Sequence, residues 1–478
     1  MAKGITGEEK SYHGCKMKIL KRPTLESTLL ISITAIAAFI RLYKLGAWSF
    51  WIDEMCTVQY ACTGHWYEGP MQISYPVNFL ITGLFLRILG ISEFGARFFP
   101  FLMGCLSIPV MYYFVKKMFN KETAILTALF LAFSPWHIYE SQNARHFSLL
   151  FLLSGSSLFC FYFAWEEKKT KLMIASALFL IAAIFTHSSA IFLLPVYLLY
   201  SVLLHLGPFD RPEGMKTRRL IVTAFVVFLA VFLVVLPVYL ILGEYLLAEM
   251  VAWNPPSNIF MSLIHYIGVA FICISIFTLL FLLHERDRRG LYMGLFIAVT
   301  IFLLLVSAKF TIASGEYAYP TLIAHFSLAA LACTKIIKIL PKELRILGVG
   351  LSCILLLTLV SSDYLYFRFE NGNRPKWKEA SEFVSRRFEE EDRVGASVAS
   401  IVEFYLARPV HWLGQLDVNQ VKASKNRYWF IVRDPRYQAS SFSREFREFL
   451  LNDCQLMTRF EATTGPKRRD VEVFLYVP

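Results

Sequence analysis

Long stretches without a single charge recur along this chain, and each is long enough to cross a lipid bilayer. Leu220 to Leu242 and Ile259 to Leu283 contain no Asp, Glu, Lys or Arg. At about 1.5 Å per residue, a helix of either length crosses the roughly 30 Å of hydrocarbon in a membrane. Hydrophobic residues make up 56% of the 478, Phe alone numbers 43, and only 18% are charged. Mean hydropathy is +0.50. A soluble core of this size has no use for so much apolar surface, whereas bilayer-facing helices do. The sequence therefore reads as a polytopic α-helical membrane protein.

Uncharged runs predict eleven spans: 25–43, 94–115, 122–139, 147–165, 172–186, 189–206, 220–242, 259–283, 291–308, 317–334 and 346–363. Cytoplasmic loops of membrane proteins collect Lys and Arg, which fixes the orientation. With the N-terminal tail 1–23 inside, the inner loops carry Lys116, Lys117 and Lys121, then Lys168, Lys169 and Lys171, then Arg211, Lys216, Arg218 and Arg219. Arg286, Arg288 and Arg289 follow, and Lys335, Lys338, Lys342 and Arg345 complete the series. The short outer loops hold only Arg145 and Lys309. Residues 77–91 are apolar but short and include Arg87, and a span there would invert every later loop. They are read as an interfacial helix in a long outer loop, 44–93, of a transmembrane unit covering 24–365.

The formal charge of +12 does not form a nucleic-acid patch, because the basic residues sit in short clusters between apolar runs. Nine cysteines are scattered without a CxxC pattern, and a disulfide between Cys56 and Cys62 stays open. The first apolar stretch has no small-residue cleavage site after it and reads as a retained anchor in a multi-pass protein of the plasma (cytoplasmic) membrane. Residues 371–478 are mixed polar and charged. A helix pattern at Trp377 to Glu390 and strand-like runs Val394–Val398, Tyr428–Val432 and Val471–Val477 predict a small α/β domain, placed outside the cytoplasm by parity.

Chemistry concentrates at the outer face. The first outer loop contains Asp53-Glu54 behind Trp48-Ser49-Phe50-Trp51-Ile52, and acids beside a bilayer are disfavoured unless solvated or used. The second contains His137, Glu140, Asn143 and Arg145, the last a natural bidentate partner for phosphate. His187 ends the fifth span, and Lys309, Glu316 and Tyr317 lie between the ninth and tenth. Taken singly, each has a bland alternative: solvated acids, a snorkelling arginine, a structural histidine. Together, parity gathers them at one membrane face. That arrangement suits transfer of a sugar from a lipid phosphate, with a carboxylate taking the acceptor's proton and cations, or a divalent ion held by acids, steadying the leaving phosphate.

These residues resemble a known family. Arg41-Leu-Tyr-Lys-Leu-Gly followed by Ser49-Phe-Trp-Ile-Asp53-Glu54 resembles the first-loop signature of the GT-C superfamily, in its protein O-mannosyltransferase and aminoarabinose transferase branch (glycosyltransferase family 39-like). Tyr75-Pro76, Gly90-Ile-Ser-Glu93 with Arg97-Phe-Phe-Pro100, and Ser134-Pro135 leading to Tyr139-Glu-Ser-Gln-Asn-Ala-Arg145 follow in order, and the likeness is good over 35–205. Arg374-Pro-Lys-Trp377-Lys-Glu-Ala380 resembles the opening of the family's outer domain.

The resemblance implies Asp53 as catalytic base, with Glu54 supporting it or helping to bind the donor phosphate. It implies Arg145 on that phosphate and His187 near the site. Lys309 is a second candidate for the phosphate, and Tyr75, His137, Glu140, Asn143, Glu316 and Tyr317 are candidates to line the site. Glu54 and Glu140 are the candidate ligands if a divalent metal (Mg or Mn) takes part. Many relatives carry an acid where this chain has Asn143, and Arg-Tyr where Glu316-Tyr317 stands. The implied reaction moves a sugar from a polyprenyl-phosphate donor to a protein, lipid or glycan hydroxyl, by inversion. The competing reading is a transporter or lipid flippase, which predicts ionisable residues near mid-membrane and broken helices.

Overall fold

The computed structural model describes residues 24–63, 76–206, 255–310, 313–433, 442–464 and 467–478, with scattered positions between 209 and 240. Tyr75 and most of the predicted span 220–242 lie outside the described residues. Seven helices are long and apolar enough to cross a membrane: Leu25–Leu42, Glu93–Met118, Phe147–Glu166, Ser188–His205, Arg288–Ser307, Gly315–Ile339 and Lys342–Arg368. Each overlaps a predicted span.

Three other predicted spans take a different form. Residues 122–139 divide into α5 (Lys121–Ala132) and the short α6 (Pro135–Ser141), because Ser134 accepts from the His137 amide and Pro135 opens a new helix. Residues 172–186 form only the 15-residue helix Thr170–Ile184. Residues 259–283 do not run straight. Pro256–Ile267 and Val269–His284 meet at 92°. Gly268 sits at the break with φ 89°, a region open to glycine at little cost. Counting that bent pair once gives up to eight crossings.

The site is framed by α1 (Leu25–Leu42), α2 (Ile52–Thr63), α3 (Pro76–Leu89), α4 (Glu93–Met118), α6 and α7 (Phe147–Glu166). Helix α3 has 14 residues and is too short for a full crossing. Cys56 and Cys62 share α2, and both are free thiols.

The polar C-terminal segment is an α/β domain as its pattern predicts. A helix at Trp377–Ser385 precedes a five-stranded sheet in the order β2-β1-β3-β7-β4. Its strands are β1 (Arg393–Ala396), β2 (His411–Trp412), β3 (Tyr428–Arg433), β4 (Gln455–Phe460) and β7 (Val471–Tyr476). Two further strands, β5 (Thr463–Thr464) and β6 (Lys467–Arg468), form a separate ribbon. β1 runs parallel to β2 and β3, and β7 runs antiparallel to β3 and β4. Trp429 and Ile431 point to one face of the sheet and Phe430 and Val432 to the other, so β3 is buried on both sides. The first of these faces shares one apolar cluster with Phe50, Met55 and Val58 around α2. The domain thus packs on the end of the bundle that carries Asp53.

The joint between membrane unit and domain is Asn371-Gly372-Asn373, with φ of 51°, 60° and 63°. Asn and Gly are the residue types that adopt left-handed backbone most readily. A Cβ on Gly372 would also lie 2.1 Å from the Trp48 ring. Gly372→Ala is therefore expected to cost about 2 kcal/mol through overpacking and backbone strain. Thermal unfolding of the detergent-solubilised protein reads this as a lowered midpoint, and an unchanged midpoint would refute the tight joint.

Candidate active site

Asp53 occupies the first turn of α2, and its Oδ2 lies 3.4 Å from Arg145 Nη1. Its carboxylate is 38% exposed and the guanidinium 24% exposed, so this pair is open to a ligand. Burial works against the charge of Arg145, but Asp53, Glu316, Tyr317 and Glu140 outweigh it and raise its pKa. Residues from three separate segments therefore surround one cation.

Glu54, the next residue, has a different fate. It is fully buried and accepts six hydrogen bonds. Arg97 of α4 donates Nε at 2.8 Å and Nη2 at 2.7 Å, and Arg374 donates Nε and Nη2, both at 3.1 Å. The backbone amides of Ala144 and Trp51 supply the other two. Burial alone would raise the carboxyl, yet Arg374 and Arg97 hold it down at about 2. The two arginines use their remaining donors on backbone carbonyls: Arg97 on Leu45, Trp48 and Ser49, and Arg374 on Gly372 and Gln142. Glu54 thus ties α2, α4, the 142–145 turn and the domain joint together, directly behind Asp53.

A polar chain lines the neighbouring wall. Trp51 Nε1 donates to Asn143 Oδ1 at 3.0 Å, while Asn143 Nδ2 and Trp136 Nε1 each donate to Glu140 at 3.3 Å. Burial, then the charge of Glu316, push the Glu140 carboxyl well above its ordinary range. Glu316 accepts from Tyr266 at 3.4 Å, and Tyr266 stacks on Trp136 with ring centroids 4.8 Å apart. The break at Gly268 leaves Tyr266 at the end of its helix, turned onto Glu316. His187 stacks on His146 at 4.5 Å and meets Tyr317 at the same distance.

Of the sequence candidates, Asp53, Arg145, Glu140, Asn143, His187, Glu316 and Tyr317 come together here, with Glu54 behind them. His137 does not join them. It is buried between Arg41 Nη2, 3.0 Å from Nδ1, and Ser107 Oγ, 2.9 Å from Nε2. Arg41 can only donate, so Nδ1 accepts and the neutral ring carries its proton on Nε2. Lys309 stands exposed in the turn after the helix Arg288–Ser307 and makes no ion pair with the cluster among the described residues. Tyr75 lies outside the described residues.

The proposed metal pair does not fit a dication. Both oxygens of Glu54 face guanidinium and amide donors, and those of Glu140 face an indole and an amide. Among the described residues, no three of His, Cys, Asp and Glu gather in a metal-binding group.

Sequence reasoning assigned no role to Arg97, Arg374, His146 or Tyr266. Arg97 and Arg374 did stand in the family-like motifs, and that placement is the signal that could have found them. Tyr266 had none, because it lies inside an apolar run.

Residues 70–239 match the family model described as dolichyl-phosphate-mannose-protein mannosyltransferase. An uncharacterized protein of Aquifex aeolicus (strain VF5) is 29% identical over 148 residues, which is 30% of this chain and 29% of that protein. This chain therefore aligns to under a third of that relative's length. The fold is similar to that of ArnT from Cupriavidus metallidurans in the apo state, with TM-score 0.61 and 14% identity over 95% of this chain and 98% of that one. It is also similar to the oligosaccharyltransferase AglB from Archaeoglobus fulgidus in complex with an inhibitory peptide and a dolichol-phosphate, with TM-score 0.55 and 10% identity over 85% and 69% of the two chains.

The stacked imidazoles make the site acid-sensitive. Burial, then the nearby Arg145 charge, lower His187 to about 3, and burial, then His187 and Arg145, lower His146 well below its usual value. Below about pH 6.5 the unfolded chain binds protons that the folded one refuses. The stability these rings contribute is complete above that pH and lost as the pH falls toward 3. The unfolding midpoint of the solubilised protein should drop between pH 7 and 4.5, and His187→Phe should flatten that slope; a slope indifferent to the substitution would contradict the assignment.

Over residues 70–239 the chain is thus similar to the dolichyl-phosphate-mannose-protein mannosyltransferase family, and over nearly its whole length it shares the fold of ArnT.

Proposed function

We propose that this chain transfers a sugar from a polyprenyl-phosphate donor to a hydroxyl acceptor at the outer face of the membrane, with inversion at the anomeric carbon. The observation that carries the reading is the half-open Asp53–Arg145 pair. An arriving donor phosphate would draw part of the Arg145 fork away from Asp53, because a guanidinium can serve two anions through separate N–H groups. Asp53, relieved of its partner, then accepts the acceptor's proton as the acceptor oxygen bonds to the anomeric carbon. The bond from that carbon to the phosphate oxygen breaks, and the phosphate leaves with the electron pair beside Arg145.

Glu54 acts as a positioning residue: its arginines fix the α2 turn on which Asp53 stands. The acid-rich surroundings are tempered because the raised pKa of Glu140 favours its neutral form. ArnT from Cupriavidus metallidurans has also been solved bound to undecaprenyl phosphate, which supports a lipid-phosphate donor for a chain of the same fold. The acceptor is a protein, lipid or glycan hydroxyl, and the α/β domain beside Asp53 is placed to present it.

A broken helix is a feature that a transporter would share. Here the break puts Tyr266 on Glu316 and Trp136, which gives it a local purpose in the site.

In membranes supplied with radiolabelled polyprenyl-phosphate sugars, Asp53→Asn should lower transfer about 10²- to 10⁴-fold, the span typical of a lost general base, at unchanged expression. Arg145→Met should mainly weaken donor use. Wild-type membranes that transfer none of a panel of lipid-linked sugars would sink the enzyme reading. Separately, Glu54→Gln leaves two buried guanidiniums undercompensated and is expected to cost about 3–5 kcal/mol, seen as loss of folded protein on gel filtration.

A further inference from the structure

The bundle's other end carries two adjoining cavities that the sugar-transfer reading does not use. Helix α4 passes the site at Arg97, and the 21 residues from there carry Met118 roughly 32 Å away. Around Met118 lies a polar cavity of about 710 Å³, whose walls include Lys117, Tyr162, Glu166, Arg286, Arg289 and Lys335. Beside it runs an apolar groove of about 600 Å³ between the helices Val269–His284 and Leu322–Ile339, walled by Cys273, Phe277, Phe281, Ala332 and Ile336. Lys335 lines both.

Most charges around the polar cavity are matched at home. Lys117 and Lys169 pair with Glu167, Arg288 with Glu166 at 3.2 Å, and Arg289 makes a two-pronged contact with Asp287. Lys335 and Arg286 have no such pair among the described residues, and Lys335 is the one that also faces the groove. Its Nζ lies 4.4 Å from the Phe281 ring centroid, and it has no carboxylate within ion-pair distance among the described residues. A cation is left standing on the seam between an apolar groove and a polar cavity. Phe277 and Ile339, on the groove's walls, are 73% and 72% exposed, so the groove lies open along the outside of the bundle, between helices apolar enough to face hydrocarbon.

We propose that this seam binds an anionic phospholipid, one acyl chain lying in the groove and the phosphate resting on Lys335, with Arg286 at the rim. A soluble anion would leave the groove empty, since each buried methylene of a chain contributes about 0.8 kcal/mol. The donor lipid does not suit the seam either, because Arg145, the cation assigned to its phosphate, stands at the far end of the bundle. The proposal is independent of the sugar-transfer reading.

The test is native mass spectrometry of the full chain in detergent, offered phosphatidylglycerol and phosphatidylcholine with identical acyl chains. Wild type should retain phosphatidylglycerol preferentially, and Lys335→Gln should lower that preference at least fivefold while Lys335→Arg keeps it. Ala332→Phe, which fills the groove, should reduce retention of both lipids. In wild type, bound phosphatidylglycerol should also shield Cys273, a free and exposed thiol, from maleimide in peptide-level mapping. The proposal is overturned if Lys335→Gln leaves the preference intact, or if glycerol phosphate competes as well as the whole lipid. It also falls if polyprenyl phosphate is retained in place of phosphatidylglycerol, or if Cys273 reacts equally with and without lipid.

Discussion

The carboxylate of Glu54 is the hinge on which the architecture depends. Two guanidiniums buried without it would be an uncompensated double charge, and the carboxylate without them would be protonated. Arg97 comes from α4 and Arg374 from beyond the last membrane helix, so one ion cluster joins the first loop, the bundle and the C-terminal domain. Buried ion pairs are weak evidence for stability, because desolvation offsets much of their attraction. They are strong determinants of geometry, because a partner displaced by an ångström leaves a charge unpaired. Specifying where Asp53 stands is a task of that second kind.

The neighbouring acids Asp53 and Glu54 show how environment divides labour between identical functional groups. Glu54 faces inward and is saturated with donors; Asp53, one residue earlier on the helix, faces outward to a single, partly exposed arginine. Helical geometry enforces this, since adjacent residues point about 100° apart. Asn143 is a further refinement. Its carbonyl oxygen takes the Trp51 indole proton while its amide serves Glu140, which an acid at that position could not do beside another carboxyl. The amide here and the acid at 140 work as one unit.

Much of this was legible along the chain. Uncharged runs predicted all seven long membrane helices, and strand-like runs at 394, 428 and 471 predicted three strands of the C-terminal sheet. Positions where backbone geometry overrides hydropathy were not legible. Gly268 and Pro135 break apolar stretches that read as continuous, because hydropathy averages over a window and a single φ does not. Of the site, the convergence of Asp53, Glu140, Arg145, His187 and Glu316 was readable from loop parity. That His137 would turn inward to Arg41 was not, since a histidine in a loop looks the same whichever way it faces.

The sequence by itself determined that the chain folds around the bilayer, where the helices lie, and which polar residues share one end of the bundle. Those properties follow from transfer free energies and charge counts, which are sums over local segments. The tertiary structure alone decided which acid is available for chemistry and which is locked between arginines. It also decided that Arg374, more than three hundred residues from Glu54, completes the cluster. Such choices depend on contacts between remote segments, and burial and charge pairing take their values only when those segments meet.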